Sequence, residues 1–300
     1  MVKHTLEITE RCTRLSLRHG QLVVSLDGDE RTFACEDIGI VVLQEAATSI
    51  TAAVMNSLLE AGAAILVCNR RFLPTGLLLP IATHTELVPR MQTQLRADRP
   101  SYKQAWRLTV IAKIKAQAVL LENPYRMRLE EMQQRVRSGD PDNYEAQAAC
   151  VYWPSYFREQ YLNGDKRDSE GESLFNVCLN YGYSIIRASV ARAIATAGLV
   201  PALGMKHHMR NNAYCLADDL MEPFRPLVDQ TVKSILLDAK DANEPLKRHH
   251  RSKLLSLFTN PYKMGNSKGP LQAVLPEYIN GYYRFIAKDA KTITFPIQVM

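Results

Sequence analysis

The sequence of 300 residues predicts an α+β protein with two domains: an N-terminal, mainly β domain with one helix, and a C-terminal, all-α helical domain. The hydrophobic pattern changes along the chain. Apolar residues alternate or form short runs from residue 4 to about residue 43, whereas long stretches with helical spacing follow residue 86. A polar segment separates the two patterns. We therefore place the N-terminal domain at residues 1–82, a connector at 83–98 and the helical domain at 99–300.

Short apolar segments predict the strands of the N-terminal domain, because strands carry alternating or uninterrupted apolar residues over a few positions. The predicted strands occupy residues 13–19, 21–27, 30–37, 38–44, 63–69 and 76–82. The segments "HGQ" and "DGDE" between the first strands predict turns. One helix is predicted at residues 49–62, where a Ser or Thr caps the beginning and Gly62 ends the helix.

Longer segments with apolar residues every three or four positions predict the helices of the C-terminal domain. They occupy residues 101–123, 126–139, 143–157, 176–198 and 216–239. Gly139, Gly198 and intervening prolines separate these segments, because glycine ends helices readily and proline lacks a backbone donor. The charged segment 163–172 predicts a loop.

The composition is that of an ordinary globular protein, with 46% hydrophobic and 23% charged residues. The net charge of +6 is compatible with a polyanionic partner but does not identify one. The six cysteines show no C-x-x-C spacing, which disfavours a zinc ribbon, a redox pair and a disulfide framework. The first residues differ from a secretory signal peptide, and no apolar run approaches the roughly 20 residues that span a bilayer. A cytoplasmic protein without a membrane partner is expected.

Three carboxylates, Asp218, Asp219 and Glu222, lie close together in the predicted helix 216–239. Residues three or four apart share a helical face, where like charges destabilise a helix by roughly 0.2–0.5 kcal/mol per pair. Two explanations would offset this repulsion. The carboxylates either mark a helix N-terminus, stabilised by the helix dipole and by Arg225, or they bind a metal ion.

The adjacent histidines His207 and His208 precede this acidic segment. Imidazole together with carboxylates suits Mg²⁺ or Mn²⁺, ions that polarise phosphodiesters. A complete site needs another carboxylate from elsewhere in the chain. Glu145 is the best candidate, because its helical face is otherwise apolar and an unpaired carboxylate there is unfavourable. Alternatively, Glu145 lies in the first turn of its helix and faces water.

Cationic side chains cluster near these candidates in the sequence. Lysine and arginine hold nucleic-acid backbones through phosphate contacts, although such clusters are also typical of a solvated helix face. The candidate phosphate contacts are Lys206, Arg210, Arg225, Arg248, Arg251 and Lys253.

Four segments resemble the CRISPR-associated spacer-acquisition integrases, also called CRISPR-associated endonucleases, and are most similar to the form found with type II loci. They are the β-rich first eighty residues, "NYEAQAACVYW" around Glu145, "LNYGYSIIRASVARAIATAGLVPALG" at 179–204 and "KHHMRNNAYCLADDLMEPFRPLVD" at 206–229. The resemblance covers nearly the whole chain, and "DLMEPFRPLVD" is its specific part. It implies a Mg²⁺ or Mn²⁺ site in the helical domain, formed by Glu145, His207 and Glu222, with Asp219 as an accessory carboxylate.

One departure from the family pattern affects the choice of histidine. Relatives carry two histidines directly after a Gly-x pair, whereas Lys206 follows Gly204-Met205 here. An ungapped alignment from Glu222 selects His207 as the ligand, and a one-residue insertion would select His208. We choose His207, with His208 as the alternative.

The resemblance implies a CRISPR adaptation integrase, a metal-dependent DNA endonuclease and strand transferase. Such an enzyme joins the 3′-hydroxyl ends of short DNA fragments to the CRISPR repeat by phosphodiester transesterification. The implied partners are double-stranded DNA, a second copy in a homodimer formed by the β domains and a small CRISPR-associated protein. The type II effector nuclease is a further candidate partner.

Two other functions remain open at this stage. A metal-dependent nuclease that cuts branched DNA without integration would use the same site, because hydrolysis and strand transfer need the same ligands. A non-catalytic DNA-binding scaffold would use the carboxylates only as residues of a helix start.

Overall fold

Two four-stranded sheets form the N-terminal region. The computed structural model describes residues 3–9, 13–70, 74–81, 84–239 and 244–299. The strands of this region are β1 (His4–Ile8), β2 (Arg14–Arg18), β3 (Gln21–Leu26), β4 (Asp29–Ala34), β5 (Ile38–Leu43), β6 (Ser49–Ile50), β7 (Ala64–Cys68) and β8 (Pro74–Leu78). They confirm the predicted mainly β region, although β8 begins and ends earlier than the predicted strand 76–82, whose last residue lies outside the described residues.

The first sheet has the order β1-β5-β7-β8, with β8 antiparallel to β7 and the other neighbours parallel. Side chains alternate between the two faces of a strand. Ile40 and Val42 of β5 therefore join the core formed with the helices, while Val41 packs into a second core within the N-terminal region. The second sheet, β4-β3-β2-β6, is antiparallel except between β2 and β6. The continuous apolar sequence of β5 reflects burial on both faces.

One α-helix, α1 (Ala52–Glu60), lies in the described part of this region. Its N-cap is Thr51, whose hydroxyl oxygen accepts a hydrogen bond of 3.4 Å from the backbone nitrogen of Val54. Gly62 follows the helix with a φ of +73°, a conformation that favours glycine. The predicted helix 49–62 is confirmed. It begins slightly later than predicted because residues 49–50 pair with β2 as β6.

Helices form most of the remaining chain. They are α2 (Leu87–Arg96), α3 (Arg99–Val119), α4 (Tyr125–Arg135), α5 (Tyr144–Tyr156), α6 (Arg158–Leu162), α7 (Leu174–Thr196), α8 (Cys215–Met221), α9 (Arg225–Asp238), α10 (Arg248–Leu255) and α11 (Leu271–Ile286). The helix α2 occupies most of the segment 83–98 that the sequence suggested as a connector. Among the residues that the structure describes, no helix has the length and apolar character needed to cross a membrane.

A small sheet also lies in the C-terminal region, which the prediction of an all-α domain did not include. Its strands are β9 (Pro261–Met264), β10 (Ser267–Pro270) and β11 (Ile297–Gln298), in the order β10-β9-β11. These strands are short and contain or adjoin proline, so their sequences give only a weak strand signal.

The prediction of one continuous helix over residues 216–239 was wrong. The segment contains α8, a single 3₁₀ turn at Glu222–Phe224, and α9. Pro223 and Pro226 are the second residues of the turn and of α9, where a backbone N–H would have no partner within the helix, so proline is tolerated.

The helix α7 is buried along nearly its whole length and packs against β5, β7, α8, α9 and α11. Its residue Tyr181 is fully buried where α7 meets the first sheet. The Tyr181 hydroxyl accepts a hydrogen bond of 2.5 Å from the Gln44 side chain and donates one of 3.3 Å to Glu7. Both apolar and polar contacts therefore join the N-terminal β-rich region to the helical region. The predicted boundary between residues 82 and 83 lies outside the described residues.

Candidate active site

Two acidic side chains from distant parts of the chain converge on Lys113. This lysine lies on the buried face of α3, with Nζ 2.7 Å from Oε1 of Glu145 and 2.5 Å from Oε2 of Glu222. Burial alone would lower the pKa of Lys113, but the charges of Glu222 and Glu145 hold that pKa above its ordinary value. The side chain is therefore a cation that connects α5 with the turn between α8 and α9.

Glu145 occupies the first turn of α5. The buried carboxylate of Asp140 fixes this turn, because it accepts hydrogen bonds of 2.9 and 3.0 Å from the backbone nitrogens of Tyr144 and Glu145. These are two of the N–H groups that a helix start leaves without an internal partner. Both explanations offered for Glu145 hold in part: the residue lies at the helix start, and its carboxylate is paired with Lys113.

Glu222 is buried and paired with two cations. Its second carboxylate oxygen, Oε1, lies 2.8 Å from Nε of Arg225. Burial raises the pKa of a carboxyl group, yet Arg225 and Lys113 together lower the pKa of Glu222 below its ordinary value. The guanidinium of Arg225 also lies 4.7 Å above the ring of Tyr183. Arg225 was predicted as a phosphate contact, and in the structure it neutralises Glu222.

The histidine loop, residues 204–212, is held by Asp219, which is fully buried. Oδ1 of Asp219 lies 2.5 Å from Nδ1 of His207, and this hydrogen bond raises the pKa of the imidazole. Oδ2 accepts hydrogen bonds of 2.8, 2.9 and 3.4 Å from the three successive backbone nitrogens of residues 205–207. The ring of Trp106 contacts His207 edge-on, with 5.5 Å between ring centroids. These contacts fix the orientation of His207.

The beginning of the histidine loop is tightly packed. A Cβ atom at Gly204 would overlap the carbonyl oxygen of His207 and lie 3.0 Å from Oδ2 of Asp219. Just upstream, the buried side chain of Gln94 in α2 accepts a hydrogen bond of 2.9 Å from the Val200 nitrogen and donates one of 3.2 Å to the Leu203 carbonyl. The loop is thus supported by α2 as well as by α8.

The other polar residues of the loop lie at the surface. His208 is exposed. His207, by contrast, is close enough to Glu145 and Glu222 for their charges to contribute to its raised pKa. Lys206 and Arg210, both predicted phosphate contacts, are exposed as well, and Nζ of Lys206 lies 3.4 Å from the carbonyl of Gly139. His207 is therefore the histidine that the structure associates with the acidic residues.

Asp218 points away from its acidic neighbours. Its carboxylate lies 2.6 Å from Nε of Arg187 and accepts a hydrogen bond of 2.7 Å from the Asn212 side chain. The three carboxylates of the acidic segment thus bind three different sets of donors, which removes the mutual repulsion expected from their spacing.

The basic segment 247–253 forms α10 and is divided between surface and interior. Arg248 is exposed, and Lys253 is partly exposed with Nζ 2.9 Å from Oδ2 of Asp238. Arg251 is buried, with Nε 3.2 Å from Oε1 of Glu7. The guanidinium of Arg251 thus joins α10 to β1 and is withdrawn from solvent, which disfavours the predicted phosphate contact, although that contact stays a prediction.

The residue types at this site fit a divalent cation, although the present arrangement does not form a cage for one. Within the described ranges, no group of three or more His, Cys, Asp or Glu side chains is placed to hold a metal ion. Glu145 and Glu222 nevertheless point at one place, which the ammonium group of Lys113 fills. Two carboxylates with an imidazole nearby are a donor set suited to Mg²⁺ or Mn²⁺.

Sequence reasoning missed Lys113, Asp140 and Trp106. The signal for Lys113 was present, because it shares a helical face with Trp106, Thr109, Val110 and Gln117, and the buried side of α3 carries no other charged residue among those described. A lysine on such a face needs an acidic partner. For Asp140, the available signal was its position shortly before a helix start.

A model of one protein family matches most of the chain. The model is described as CRISPR associated protein Cas1, and it matches residues 6–255. The chain belongs to the Cas1 family. A CRISPR-associated endonuclease Cas1 from Neisseria meningitidis (serogroup C, strain 8013) is 38% identical over 223 residues, which are 73% of this chain and 71% of the relative. A Cas1 from Pyrobaculum aerophilum is 28% identical over 278 residues, or 87% and 91% of the two chains.

Solved structures share the same fold. A casposase bound to its integration product superimposes with a TM-score of 0.78 at 18% identity, covering 98% of this chain and 92% of the casposase. A Cas1 protein from Thermotoga maritima has a TM-score of 0.77 at 11% identity, with 97% and 99% covered. A chain of a Cas6-RT-Cas1–Cas2 complex has a TM-score of 0.76 at 18% identity, covering 96% of this chain and 35% of that chain. The β-rich N-terminal region followed by helices is thus a Cas1 fold.

Proposed function

We propose that this chain is the integrase of CRISPR adaptation, and that it joins 3′-hydroxyl ends of short DNA fragments to the CRISPR repeat. The observation that carries the proposal is the convergence of Glu145 and Glu222, at 2.7 and 2.5 Å, on a single cationic group beside His207. A site that gathers two carboxylates around one positive charge is suited to a divalent cation in the same place. Membership of the Cas1 family supports the reaction class.

Glu145, His207 and Glu222 would hold Mg²⁺ or Mn²⁺. When bound, such an ion supplies Lewis-acid stabilisation to the attacking and leaving oxygens of a phosphodiester. Asp219 engages Nδ1 of His207, so Nε2 is the ring nitrogen left to act as a ligand. Arg225 keeps one oxygen of Glu222 paired, which orients the other oxygen inward. The reaction requires no nucleophile from the protein, because the DNA 3′-hydroxyl attacks in strand transfer and water attacks in hydrolysis.

Exposed or partly exposed cations of the histidine loop and of α10 would hold the DNA backbone. Lys206 and Arg210 lie on the histidine loop and are exposed. Arg248 and Lys253 lie on α10, where Arg248 is exposed. Contacts of this kind are independent of base sequence and sensitive to salt.

The proposed function also requires the chain to assemble with other proteins. We infer a homodimer formed through the β-rich N-terminal regions and a complex with a small CRISPR-associated protein. The likeness to a chain of a Cas6-RT-Cas1–Cas2 complex supports such a partner for a protein of this fold. The type II effector nuclease is a further proposed partner.

A strand-transfer assay tests the proposed function. The protein and its small partner would be incubated with a labelled short duplex, a supercoiled plasmid bearing the repeat, and Mg²⁺ or Mn²⁺. Label should enter the plasmid only with metal, and Glu145→Ala and His207→Ala should abolish the reaction. His208→Ala is the matched control and should retain activity.

Three other outcomes would contradict the proposal in different ways. Shortened DNA without joined products would indicate a nuclease, and branched substrates would then be tested. Activity lost in His208→Ala but kept in His207→Ala would move the ligand to His208. Activity unaffected by Glu145→Ala would show that the site lies elsewhere.

A further inference from the structure

Four charged side chains at the centre of the candidate site balance one another. Glu145 and Glu222 carry two negative charges, and Lys113 and Arg225 carry two positive charges. The ammonium group of Lys113 contacts one oxygen of each carboxylate and lies between the two acidic residues. The place that a metal ion would take is therefore held by a cation of the protein itself.

We propose that Lys113 is an internal competitor of the divalent cation: it holds Glu145 and Glu222 together before an ion binds, and it withdraws from them when one does. This inference rests on the proposed function, because it takes these carboxylates as metal ligands.

The size and charge of the ion require this exchange. Oxygen ligands approach Mg²⁺ to about 2.0–2.1 Å, so an ion shared by Glu145 and Glu222 occupies the space of the ammonium group that now contacts both. The two positive charges of the ion would also strongly repel the Lys113 ammonium group if it stayed in place, because a buried site screens charges poorly. The ion and Lys113 therefore exclude each other.

Lys113 is the cation that moves, and Arg225 is the cation that stays. Arg225 is three residues from Glu222, binds the other oxygen of that carboxylate, and lies against the Tyr183 ring. Lys113 belongs to a separate helix and ends in a single ammonium group on a flexible four-carbon stem.

The competition lowers the apparent affinity for metal. An apparent dissociation constant equals the intrinsic constant divided by the fraction of molecules in the binding-competent state. If Lys113 is withdrawn in about a tenth of the molecules, its removal tightens metal binding about tenfold.

Binding of Mn²⁺ measured by electron paramagnetic resonance of the free ion tests the competition. Wild type would be compared with Lys113→Met, with Lys113→Gln, and with Lys115→Met as a control for loss of one exposed charge on the same helix. Both Lys113 variants should bind Mn²⁺ about tenfold more tightly than wild type. They should also melt at a lower temperature in a chelator and regain more stability from Mn²⁺, whereas Lys115→Met should match wild type.

A second measurement uses the wild-type chain and does not depend on folding of a variant. Labelling of lysines with an amine reagent, quantified by mass spectrometry, should increase at Lys113 when Mn²⁺ is added, while labelling of Lys115 stays constant. Labelling of Lys113 that is unchanged or reduced by Mn²⁺ would overturn the exchange.

The inference and the proposed function fail in distinguishable ways. Wild-type binding that depends on Glu145, without tighter binding in either Lys113 variant, would overturn the competition and leave the metal site intact. Absence of Glu145-dependent binding in wild type and in both Lys113 variants would overturn the metal site, and the competition with it. Glu145-dependent binding that appears only in the Lys113 variants would support both.

Discussion

Oδ1 of Asp219 lies 2.5 Å from Nδ1 of His207, while Oδ2 of the same carboxylate receives the backbone N–H groups of residues 205–207. One buried carboxylate therefore sets both the path of the histidine loop and the orientation of its imidazole. In metal sites, such outer carboxylates orient the ligating histidine and select the nitrogen that it presents.

Replacement of Asp219 by Asn should reduce Mn²⁺ affinity and strand transfer by about 10- to 100-fold, because the imidazole loses its charged partner. Spin-resonance titration and the strand-transfer assay would measure the two effects. The control is Asp218→Asn, since Asp218 binds Arg187 and Asn212 instead of the histidine loop. Equal losses in the two variants would refute the orienting role of Asp219.

Gly204→Ala should destabilise the protein by about 1–3 kcal/mol, because the added methyl group overlaps the carbonyl oxygen of His207. Urea denaturation would measure the change in unfolding free energy. Gly281→Ala is a matched control: Gly281 lies in α11, and its Cβ would meet no atom within 4 Å. The control should gain up to about 1 kcal/mol from the better helix propensity of alanine. A neutral Gly204→Ala variant would show that the loop can shift freely.

Asp229 should make stability depend on pH. Its buried carboxyl group contacts the hydroxyls of Tyr152, at 2.9 Å, and Tyr183, and burial raises its pKa from 3.8 to about 7 despite these donors. Between these two values the folded chain binds more protons than the unfolded chain, so stability contributed by this group falls as pH rises from about 4 to about 7. The slope reaches at most about 1.4 kcal/mol per pH unit.

Thermal melts between pH 5 and pH 8 would measure this slope in wild type and in Asp229→Asn, which should show a weaker decline with pH. The control is Asp238→Asn, because Asp238 lies in the same helix with a side chain that is 76% exposed. An unchanged slope in Asp229→Asn would mean that this carboxyl group titrates near its ordinary pKa.

Arg251 and the exposed cations should differ in what they stabilise. Arg251→Ala should lower the unfolding free energy by roughly 3 kcal/mol, because it leaves the mostly buried Glu7 without its cation. It should leave the salt dependence of DNA binding unchanged. Lys206→Ala and Arg210→Ala should each reduce the slope of log affinity against log salt by about 0.9, with little effect on stability. Fluorescence anisotropy at several salt concentrations would separate the two classes, and a reduced slope for Arg251→Ala would restore it as a phosphate contact.

The local pattern of apolar and helix-capping residues was sufficient to predict much of the fold. The helix α7 and the cap of α1 follow from apolar periodicity and from the residues at the helix ends, which act over one or two turns. The hydrophobic pattern gave a wrong prediction where helical periodicity and the helix-breaking effect of proline favoured different structures. The acidic segment has helical periodicity throughout, yet Pro223 and Pro226 divide it into α8, a 3₁₀ turn and α9.

The family resemblance, the succession of most strands and helices, and the segments that carry Glu145, His207 and Glu222 could be predicted from the amino-acid sequence, because these features depend on neighbouring residues. The pairing of the charges depends instead on how distant segments pack. Lys113 is 32 residues from Glu145 in the chain, and Arg251 is 244 residues from Glu7, yet each pair is in contact. Such contacts arise from the packing of α3 against α5 and of α10 near β1. Burial then decides the outcome, because a charge withdrawn from water must find a partner, whichever part of the chain supplies it.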